Sequence, residues 1–173
     1  KFEKEICKYT NSKFAIAVNS GTSAIILAVQ SLSLKKNTYI ALPNITFVGT
    51  ANSVLLSDYK VLLVDVDETT GLVNLKNLKK TIKGKKVSCF INVHLNGNIE
   101  DIEKIYQFCK KRNIKIIDDA CHALGTTYYL KGNHLKICNN SFCDISTLSS
   151  HPTKLITTGE GGALLTNNKN IYK

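Results

Sequence analysis

One segment toward the C-terminus organises the chain: it reads Ser149-Ser150-His151-Pro152-Thr153-Lys154 and continues as Thr157-Thr158-Gly159-Glu160-Gly161-Gly162. A short apolar run precedes this segment, and the apolar residues 163–165 follow it. A lysine in such a setting is either an ordinary loop residue or a reactive amine. A reactive lysine must be desolvated or lie near another cation, so that its amine is partly neutral near neutral pH. The segment alone leaves both interpretations of Lys154 open.

The amino-acid composition limits the classes of protein to which this chain can belong. Hydrophobic residues make up 43% and charged residues 21% of the 173 residues, which is ordinary for a globular protein with a real core. No apolar run reaches ~18 residues, so we expect no membrane span. The first residues show no signal-peptide pattern. The sequence contains no Met, and its abrupt start and end predict a piece cut from a longer chain.

The formal net charge of +10 raises the possibility of nucleic-acid binding. The excess is almost all lysine, spread along the chain in short pairs such as Lys35-Lys36, Lys79-Lys80, Lys85-Lys86 and Lys110-Lys111. There is little arginine and no regular interleaving of aromatic residues. This pattern favours a solvated lysine-rich surface over a nucleic-acid interface.

The cysteines argue against a metal site and a secreted protein. There are six, at positions Cys7, Cys89, Cys109, Cys121, Cys138 and Cys143. None forms a Cys-x-x-Cys pair, and several fall in apolar segments, unlike a zinc site or a disulfide framework. We therefore expect reduced thiols, no bound metal and a cytoplasmic location.

Short apolar runs alternate with amphipathic segments along the chain. The pattern predicts helices at 2–9, 24–32, 47–55, 74–83 and 98–112, and strands at 14–18, 38–42, 60–66, 87–93, 114–117, near 124–128, 142–148 and 162–166. Fully apolar strands alternating with helices indicate an α/β fold with a mainly parallel sheet covered on both faces. We find no internal repeat or linker, and expect one domain or part of one.

Polar residues follow several of these predicted strands. The turn at 19–23 lies between a strand and a helix, where unpaired backbone N–H groups and the helix dipole favour an anion. Simple capping by Ser20 or Thr22 explains the same residues. His94 and Asp119 also fall at strand ends, and ligands of such folds bind outside the carboxyl ends of strands. A dinucleotide-binding domain is disfavoured, because Gly-x-Gly-x-x-Gly is missing.

Pyridoxal phosphate (PLP) makes four demands that these residues could meet together. It needs a lysine for its aldehyde, an anion site for its phosphate, a carboxylate for its pyridine nitrogen and a flat group over its ring. The candidates are Lys154 for the Schiff base, 22–23 for the phosphate, Asp119 for the nitrogen, and Phe47 or His122 for the ring.

Four blocks in order carry a resemblance that covers essentially the whole chain: 19–24 (Asn-Ser-Gly-Thr-Ser-Ala), 42–52 (Leu-Pro-Asn-Ile-Thr-Phe-Val-Gly-Thr-Ala-Asn), 118–125 (Asp-Asp-Ala-Cys-His-Ala-Leu-Gly) and 149–162. With them the chain resembles the DegT/DnrJ/StrS family of PLP-dependent nucleotide-sugar aminotransferases. The resemblance implies the large domain of fold-type I PLP enzymes over residues 1–173, with a seven-stranded, mainly parallel mixed sheet between helices. It also implies that the family's small C-terminal domain is missing.

The resemblance assigns catalytic roles to three residues. Lys154 would hold the cofactor and shuttle the proton, and Asp119 would pair with the pyridine nitrogen through a charge-assisted hydrogen bond. His122 would lie near the ring and its 3-hydroxyl.

The same resemblance implies further cofactor contacts. Thr22 and Ser23 would bind the phosphate, and Ser149 would add its hydroxyl. Phe47 would stack on the ring. Each assignment is an expectation carried over by position in the matching blocks.

Other residues in these blocks are expected to be structural. Asp118 stands where the family often has Glu, and we expect it to turn away from the cofactor. We interpret Cys121 as packing and His94 as an ordinary loop histidine. Glu160 is expected to have a structural or substrate-side role, and His151 to shape the lysine loop.

The function implied is transfer of an amino group from an amino acid, commonly glutamate, to a nucleotide-linked keto-deoxy sugar. Dehydratases of the family carry His at the lysine position, so Lys154 favours transamination. The sequence motif around Lys154 is similar to that of a branch of the family that aminates C4 of a UDP-linked 4-keto-6-deoxy-N-acetylhexosamine. The family implies a homodimer with shared active sites. A catalytically inactive or regulatory PLP-binding homologue is the alternative.

Overall fold

A computed structural model describes residues 1–130 and 132–173 of the chain. The helices are α1 (Phe2–Thr10), α2 (Gly21–Ser31), α3 (Val48–Leu56), α4 (Leu75–Ile82), α5 (Ile102–Lys111) and α6 (Lys169–Tyr172), with a 3₁₀ turn at Leu95–Gly97. The strands are β1 (Phe14–Val18), β2 (Tyr39–Pro43), β3 (Lys60–Val64), β4 (Val87–Val93), β5 (Lys115–Asp119), β6 (Thr127–Leu130), β7 (Asn133–Lys136), β8 (Ile145–Ser149) and β9 (Gly162–Thr166).

Seven of these strands form one sheet in the order β1-β9-β8-β5-β4-β2-β3. The neighbours from β8 to β3 pair in parallel, whereas β9 is antiparallel to both β8 and β1. All strands of this sheet except β9 therefore point the same way, and their carboxyl ends lie at one edge. The predicted mainly parallel, mixed seven-stranded sheet is confirmed.

Side-chain alternation along the strands supplies a core on each face of the sheet. Ala41, Phe90 and Ile116 belong to a buried cluster that α4 and α5 complete with Leu78, Ile105 and Phe108. Ile40, Ile91 and Ile117 belong to a second cluster that α2 and α3 complete with Ile25, Val29 and Val54. A third cluster joins α1 to β1, β8 and β9. Helices thus cover both faces, as the apolar strand pattern predicts.

Helix α2 is held at its start by side-chain capping. Ser20 is the N-cap residue, and its Oγ accepts a hydrogen bond of 3.1 Å from the backbone N–H of Ser23. Asn74 caps α4 in the same way through the N–H of Asn77. Such caps satisfy backbone donors that a helix start leaves unpaired. Among the described helices, none is long and apolar enough to cross a bilayer.

Several predicted element bounds are wrong for local reasons. The helix predicted from residue 98 begins only at Ile102, because Asp101 adopts a left-handed φ of 48° and its carboxylate accepts from the backbone N–H of Leu75. The strand predicted near 124–128 is β6, and it forms a two-stranded sheet with β7. Strand β7 was not predicted, because Asn-His-Leu-Lys has no apolar alternation and much of it is exposed.

Strand β9 begins in very close contact with the start of α2. A Cβ atom built on Gly162 would lie 2.5 Å from the carbonyl oxygen of Ser20 and 2.8 Å from the backbone nitrogen of Gly21. Both neighbours are backbone atoms, which cannot rotate away. A glycine at this position therefore lets the lysine-bearing segment and the α2 turn meet at one edge of the sheet.

The substitution Gly162→Ala should lower the free energy of unfolding by about 1–3 kcal/mol, because the added methyl group overpacks this junction. Chemical denaturation of the full-length protein measures the change. Ala17→Ser adds one heavy atom at an exposed position on the neighbouring strand, and it should stay within about 0.5 kcal/mol of wild type. Equal effects of the two substitutions would contradict the close-contact explanation.

Candidate functional site

The loops at the carboxyl edge of the sheet enclose a cavity of about 380 Å³. Its walls come from the start of α2, the segment between β2 and α3, the ends of β4 and β5, and the loop after β8. Lining residues include Thr22, Phe47, Asp119, His122, Ser149 and Lys154. The size is in the range of small-molecule sites. Residues distant in sequence therefore meet because the strands that precede them end at the same edge of the sheet.

Lys154 and His122 are in direct contact. The Nζ atom of Lys154 lies 2.6 Å from Nε2 of His122. Either the ammonium donates to Nε2, or a protonated Nε2 donates to the neutral amine; both satisfy this distance. Burial and the neighbouring Lys154 both lower the pKa of His122 from its ordinary value. The ring is therefore kept from becoming a second cation beside the amine.

Asp119 is a buried carboxylate held on both oxygens. Thr50 Oγ1 donates to Oδ2 at 3.2 Å, and the backbone N–H of Cys121 donates to Oδ1 at 3.2 Å. Thr50 is itself fully buried in the first turns of α3 and lies 2.9 Å from the hydroxyl of Thr46. One donor on each oxygen fixes the plane of the carboxylate while leaving further acceptor capacity on both oxygens. The carboxylate is thus orientated before any ligand binds.

Hydroxyl groups surround the N-terminus of α2. Ser20, Thr22 and Ser149 line the cavity there. Ser23 does not; its Oγ donates to Oδ1 of Asn19 at 2.6 Å and lies 3.0 Å from Oγ of Ser20. The structure therefore brings Thr22 and Ser149 into the cavity and uses Ser23 in the cap, so phosphate binding by Ser23 stays a prediction.

Two glycines bring these walls close together. A Cβ on Gly21 would lie 2.8 Å from Cβ of Ser149 and 2.9 Å from Sγ of Cys121. A Cβ on Gly49 would lie 2.7 Å from the ring of Phe47 and 2.8 Å from Oγ1 of Thr22. Gly21 thus leaves room for Ser149 and Cys121, and Gly49 leaves room for Phe47, which is 69% exposed at the mouth of the cavity.

Cys121 is part of the cavity wall, and its surroundings disfavour the thiolate. Burial, together with the nearby carboxylate of Asp119, raises the pKa of its thiol far above the ordinary value. Only a thiolate would attack an electrophile readily. The predicted packing role agrees with its contact at Gly21.

Asp118 and His94 form a buried pair beside the cavity. Asp118 is buried and does not line the cavity, as expected for a residue turned away from it. His94 lies in the loop after β4, as predicted, but it is 2% exposed and its Nε2 lies 3.3 Å from Oδ1 of Asp118. The sequence did not predict this burial and pairing, because the partner is on a neighbouring strand.

The lysine loop carries a second polar group at the mouth. Nε2 of His151 lies 3.9 Å from Oε1 of Glu160, and both residues line the cavity. His151 Nδ1 also lies 2.9 Å from the hydroxyl of Thr153. These contacts agree with an influence of His151 on loop shape, and they leave Glu160, which is exposed, facing the entrance.

The residues present fit PLP by their chemistry. The cavity offers an amine at Lys154, an orientated carboxylate at Asp119, an aromatic ring at Phe47, and hydroxyls beside a helix N-terminus that favours phosphate. The described residues contain no cluster of three or more metal-ligating side chains. An organic cofactor with an aldehyde, a basic nitrogen and a phosphate matches this donor set.

The sequence did not identify Thr50 as a site residue. It lies in the second matching block, four positions after Thr46 and therefore on the same side of a helix start. Only the packing of α3 against the end of β5 shows that this hydroxyl reaches Asp119.

Comparison with known proteins gives consistent matches over the whole chain. Residues 1–173 match the sequence model of the DegT/DnrJ/EryC1/StrS aminotransferase family. The chain is 37% identical over 172 residues to UDP-4-amino-4,6-dideoxy-N-acetyl-beta-L-altrosamine transaminase of Campylobacter jejuni, covering 99% of this chain and 44% of that protein. It is 33% identical over 174 residues to GDP-perosamine synthase of Escherichia coli O157:H7, covering 99% of this chain and 45% of that protein.

A solved structure of NtdA from Bacillus subtilis with the bound cofactor PMP superposes with a TM-score of 0.86 at 29% identity, over 99% of this chain and 37% of that one. The chain thus spans less than half the length of the proteins that it matches.

Replacing Thr50 by Val should remove the hydrogen bond to Asp119 and lower the free energy of unfolding by about 1.5–3 kcal/mol, the usual value for a bond to a charged group. Denaturant unfolding of the full-length protein provides the measurement. Thr50→Ser retains the hydroxyl and should cost about 1 kcal/mol for the lost methyl group. A Val variant as stable as the Ser variant would show that the bond contributes little.

In the Lys154→Met variant the pKa of His122 should rise towards its ordinary value, because the neighbouring cation is gone while burial remains. Because the pKa of His122 is lower in the folded than in the unfolded protein, the unfolded chain binds more protons at pH values between the two pKa values. The free energy of unfolding therefore rises with pH across that range. Lys154→Met should make this rise smaller.

Histidine NMR titration of the full-length protein measures this pKa. Lys36→Met, at an exposed lysine next to Tyr59, is the control and should leave the His122 titration unchanged. An unchanged titration in Lys154→Met would contradict the electrostatic coupling.

Proposed function

The chain belongs to the DegT/DnrJ/EryC1/StrS aminotransferase family, and from that membership we propose that it is the cofactor-binding part of a PLP-dependent aminotransferase. The enzyme would move an amino group from an amino acid, such as glutamate, to a keto-deoxy sugar carried by a nucleotide. The observation that supports this most directly is the shared cavity of Lys154, Asp119 and the start of α2.

PLP would supply an electron-withdrawing ring that allows the bond between Cα and hydrogen in the amino donor to break. Lys154 would anchor the cofactor and then act as base and acid. Its Nζ would accept the proton that leaves Cα of the donor and later deliver a proton to the sugar carbon that receives the amine. His122, 2.6 Å away, would orientate this amine.

Asp119 would hold the positive charge at the ring nitrogen, because a buried carboxylate with fixed orientation is a strong partner for a cationic donor. Thr22 and Ser149 would donate hydroxyl hydrogens to the phosphate, with Ser23 contributing through the α2 turn. Phe47 would cover one face of the ring and exclude water from it.

We propose a 4-keto-6-deoxy sugar as the amino acceptor, with C4 of a UDP-linked N-acetylhexosamine as the first candidate. The support is the 37% identity to the Campylobacter jejuni transaminase, whose name describes a 4-amino-4,6-dideoxy product. The 33% identity to a GDP-perosamine synthase makes a GDP-linked sugar the competitor. The two candidates differ in nucleotide and in the substituent at C2.

The full-length protein with PLP should transfer the amine from glutamate to one of these two sugars, with the product identified by NMR. Transfer to the UDP sugar at a kcat/KM at least about tenfold higher would support the first candidate. Preference for the GDP sugar would overturn it, and transfer to neither would count against a sugar aminotransferase.

We further propose a homodimer in the cytoplasm. Apolar side chains at the start and along one side of α3 are exposed, including Phe47, Val48, Leu55 and Leu56, and such a patch fits burial against a second copy. The cysteines of the described residues are all free thiols, in keeping with a reducing compartment.

Lys154→Ala should reduce turnover by about 10³-fold or more, because both the anchor and the proton carrier are lost. Borohydride reduction of the full-length wild type with PLP should leave the cofactor on the peptide that contains Lys154, as read by mass spectrometry. Lys36→Ala is the matched control and should keep wild-type turnover. Substantial activity in Lys154→Ala, or labelling at another lysine, would refute the assignment.

A further inference from the structure

His94 is a buried histidine in the wall of the cavity that the proposed reaction does not use. It follows β4 directly, is 2% exposed and lines the cavity. Its backbone N–H donates to the carbonyl oxygen of Asp119 at 3.1 Å. The residue is therefore attached to the strand end that carries the cofactor-facing carboxylate.

The ring of His94 lies against a buried carboxylate. Nε2 lies 3.3 Å from Oδ1 of Asp118, although the contact does not have the angle of a hydrogen bond. A neutral imidazole has one nitrogen with a proton and one with a lone pair, and a lone pair at Nε2 would face the carboxylate oxygen. An imidazolium carries a proton on both nitrogens, so Nε2 always presents N–H to Asp118.

A carboxylate as buried as that of Asp118 needs a positively charged partner. It is 3% exposed, and within the described part of the chain His94 is its ion-pair partner. Asn92 donates to the same Oδ1 at 3.4 Å. Other titratable groups of the described residues that interact with Asp118 include Tyr128, Cys138 and Cys143, whose raised pKa values keep them neutral near pH 7. A buried carboxylate without a cation is strongly unfavourable.

We propose that His94 is a positioning residue: it is an imidazolium beside the buried carboxylate of Asp118, and its charge stabilises the carboxylate of Asp119 for the ring nitrogen of the cofactor. The role towards the cofactor rests on the proposed function, whereas the charge of His94 does not. Asp118, which faces away from the cavity, thereby acts on the site through His94.

The net electrostatic balance at His94 agrees with this geometry. Burial lowers its pKa, but the carboxylates of Asp118 and then Asp119 raise it, and the net shift is upward from the ordinary value. The attraction acts on both partners. If the carboxylate of Asp119 stabilises the imidazolium of His94, the imidazolium stabilises the carboxylate of Asp119 equally.

The charge of His94 can be measured without cofactor. In full-length protein labelled with ¹⁵N-histidine at pH 7, both His94 nitrogens should carry a proton, with the signals assigned by their loss in His94→Asn. Asp118→Asn should convert the ring to the neutral form. His134→Asn, at an exposed histidine of β7, should leave these signals unchanged. A neutral ring in wild type would overturn the proposal.

The effect on the cofactor site is measured as the Kd for PLP. Both His94→Asn and the double variant His94→Asn with Asp118→Asn should bind PLP about tenfold more weakly (~1.4 kcal/mol). The double variant removes both charges and should recover stability relative to His94→Asn. A purely structural role for the pair would restore PLP binding together with stability, and that result would overturn the proposal.

The two proposals fail in different ways. Wild-type protein that does not bind PLP at all would overturn the proposed function and the cofactor role of His94 together. Normal PLP binding in wild type with an unchanged Kd in both variants would overturn only the role of His94.

Discussion

The alternation of side chains along β5 sends two successive carboxylates to opposite sides of the sheet, and the site depends on this. β5 is the central strand, and Asp118 and Asp119 end it. Asp119 points to the side of α2 and α3, where Thr50 holds it. Asp118 points to the other side, where His94 lies against it. A shift of one residue in register would exchange the two carboxylates and dismantle the cavity wall.

The free-energy cost of burying these carboxylates is offset because each already has hydrogen-bond or ion-pair partners. Asp119 receives one N–H and one hydroxyl donor, and Asp118 has a histidine and an amide. A buried carboxylate with unmet acceptors costs several kcal/mol, so these partners stabilise the fold as well as orientating the site. Stability and preorganisation therefore arise from the same contacts at the end of β5.

The lysine loop differs in character from this rigid strand end. Most of 151–160 is exposed, and Lys154 is only partly buried. Its ends are nevertheless pinned, since Ser150 exchanges backbone contacts with Thr158 and Gly161 and its hydroxyl lies 2.7 Å from Oγ1 of Thr158. A loop pinned at both ends therefore holds the amine of Lys154 at the cavity while most of its other residues stay exposed.

The sequence by itself determined the class of fold. Apolar runs such as 87–93 reveal buried strands because burial on both faces demands apolar residues throughout. The four blocks predicted Lys154, Asp119 and His122 as site residues; these three line one cavity, and their roles stay predictions. The sequence did not determine that Thr50 reaches Asp119, that Ser23 is used in a cap, or that His94 pairs with Asp118. Thr50 and Asp119 are 69 positions apart, His94 and Asp118 follow or end different strands, and the role of Ser23 depends on the direction of its hydroxyl. Local pattern carries no information on such pairs; the register of β4 beside β5 and the packing of α3 decide them.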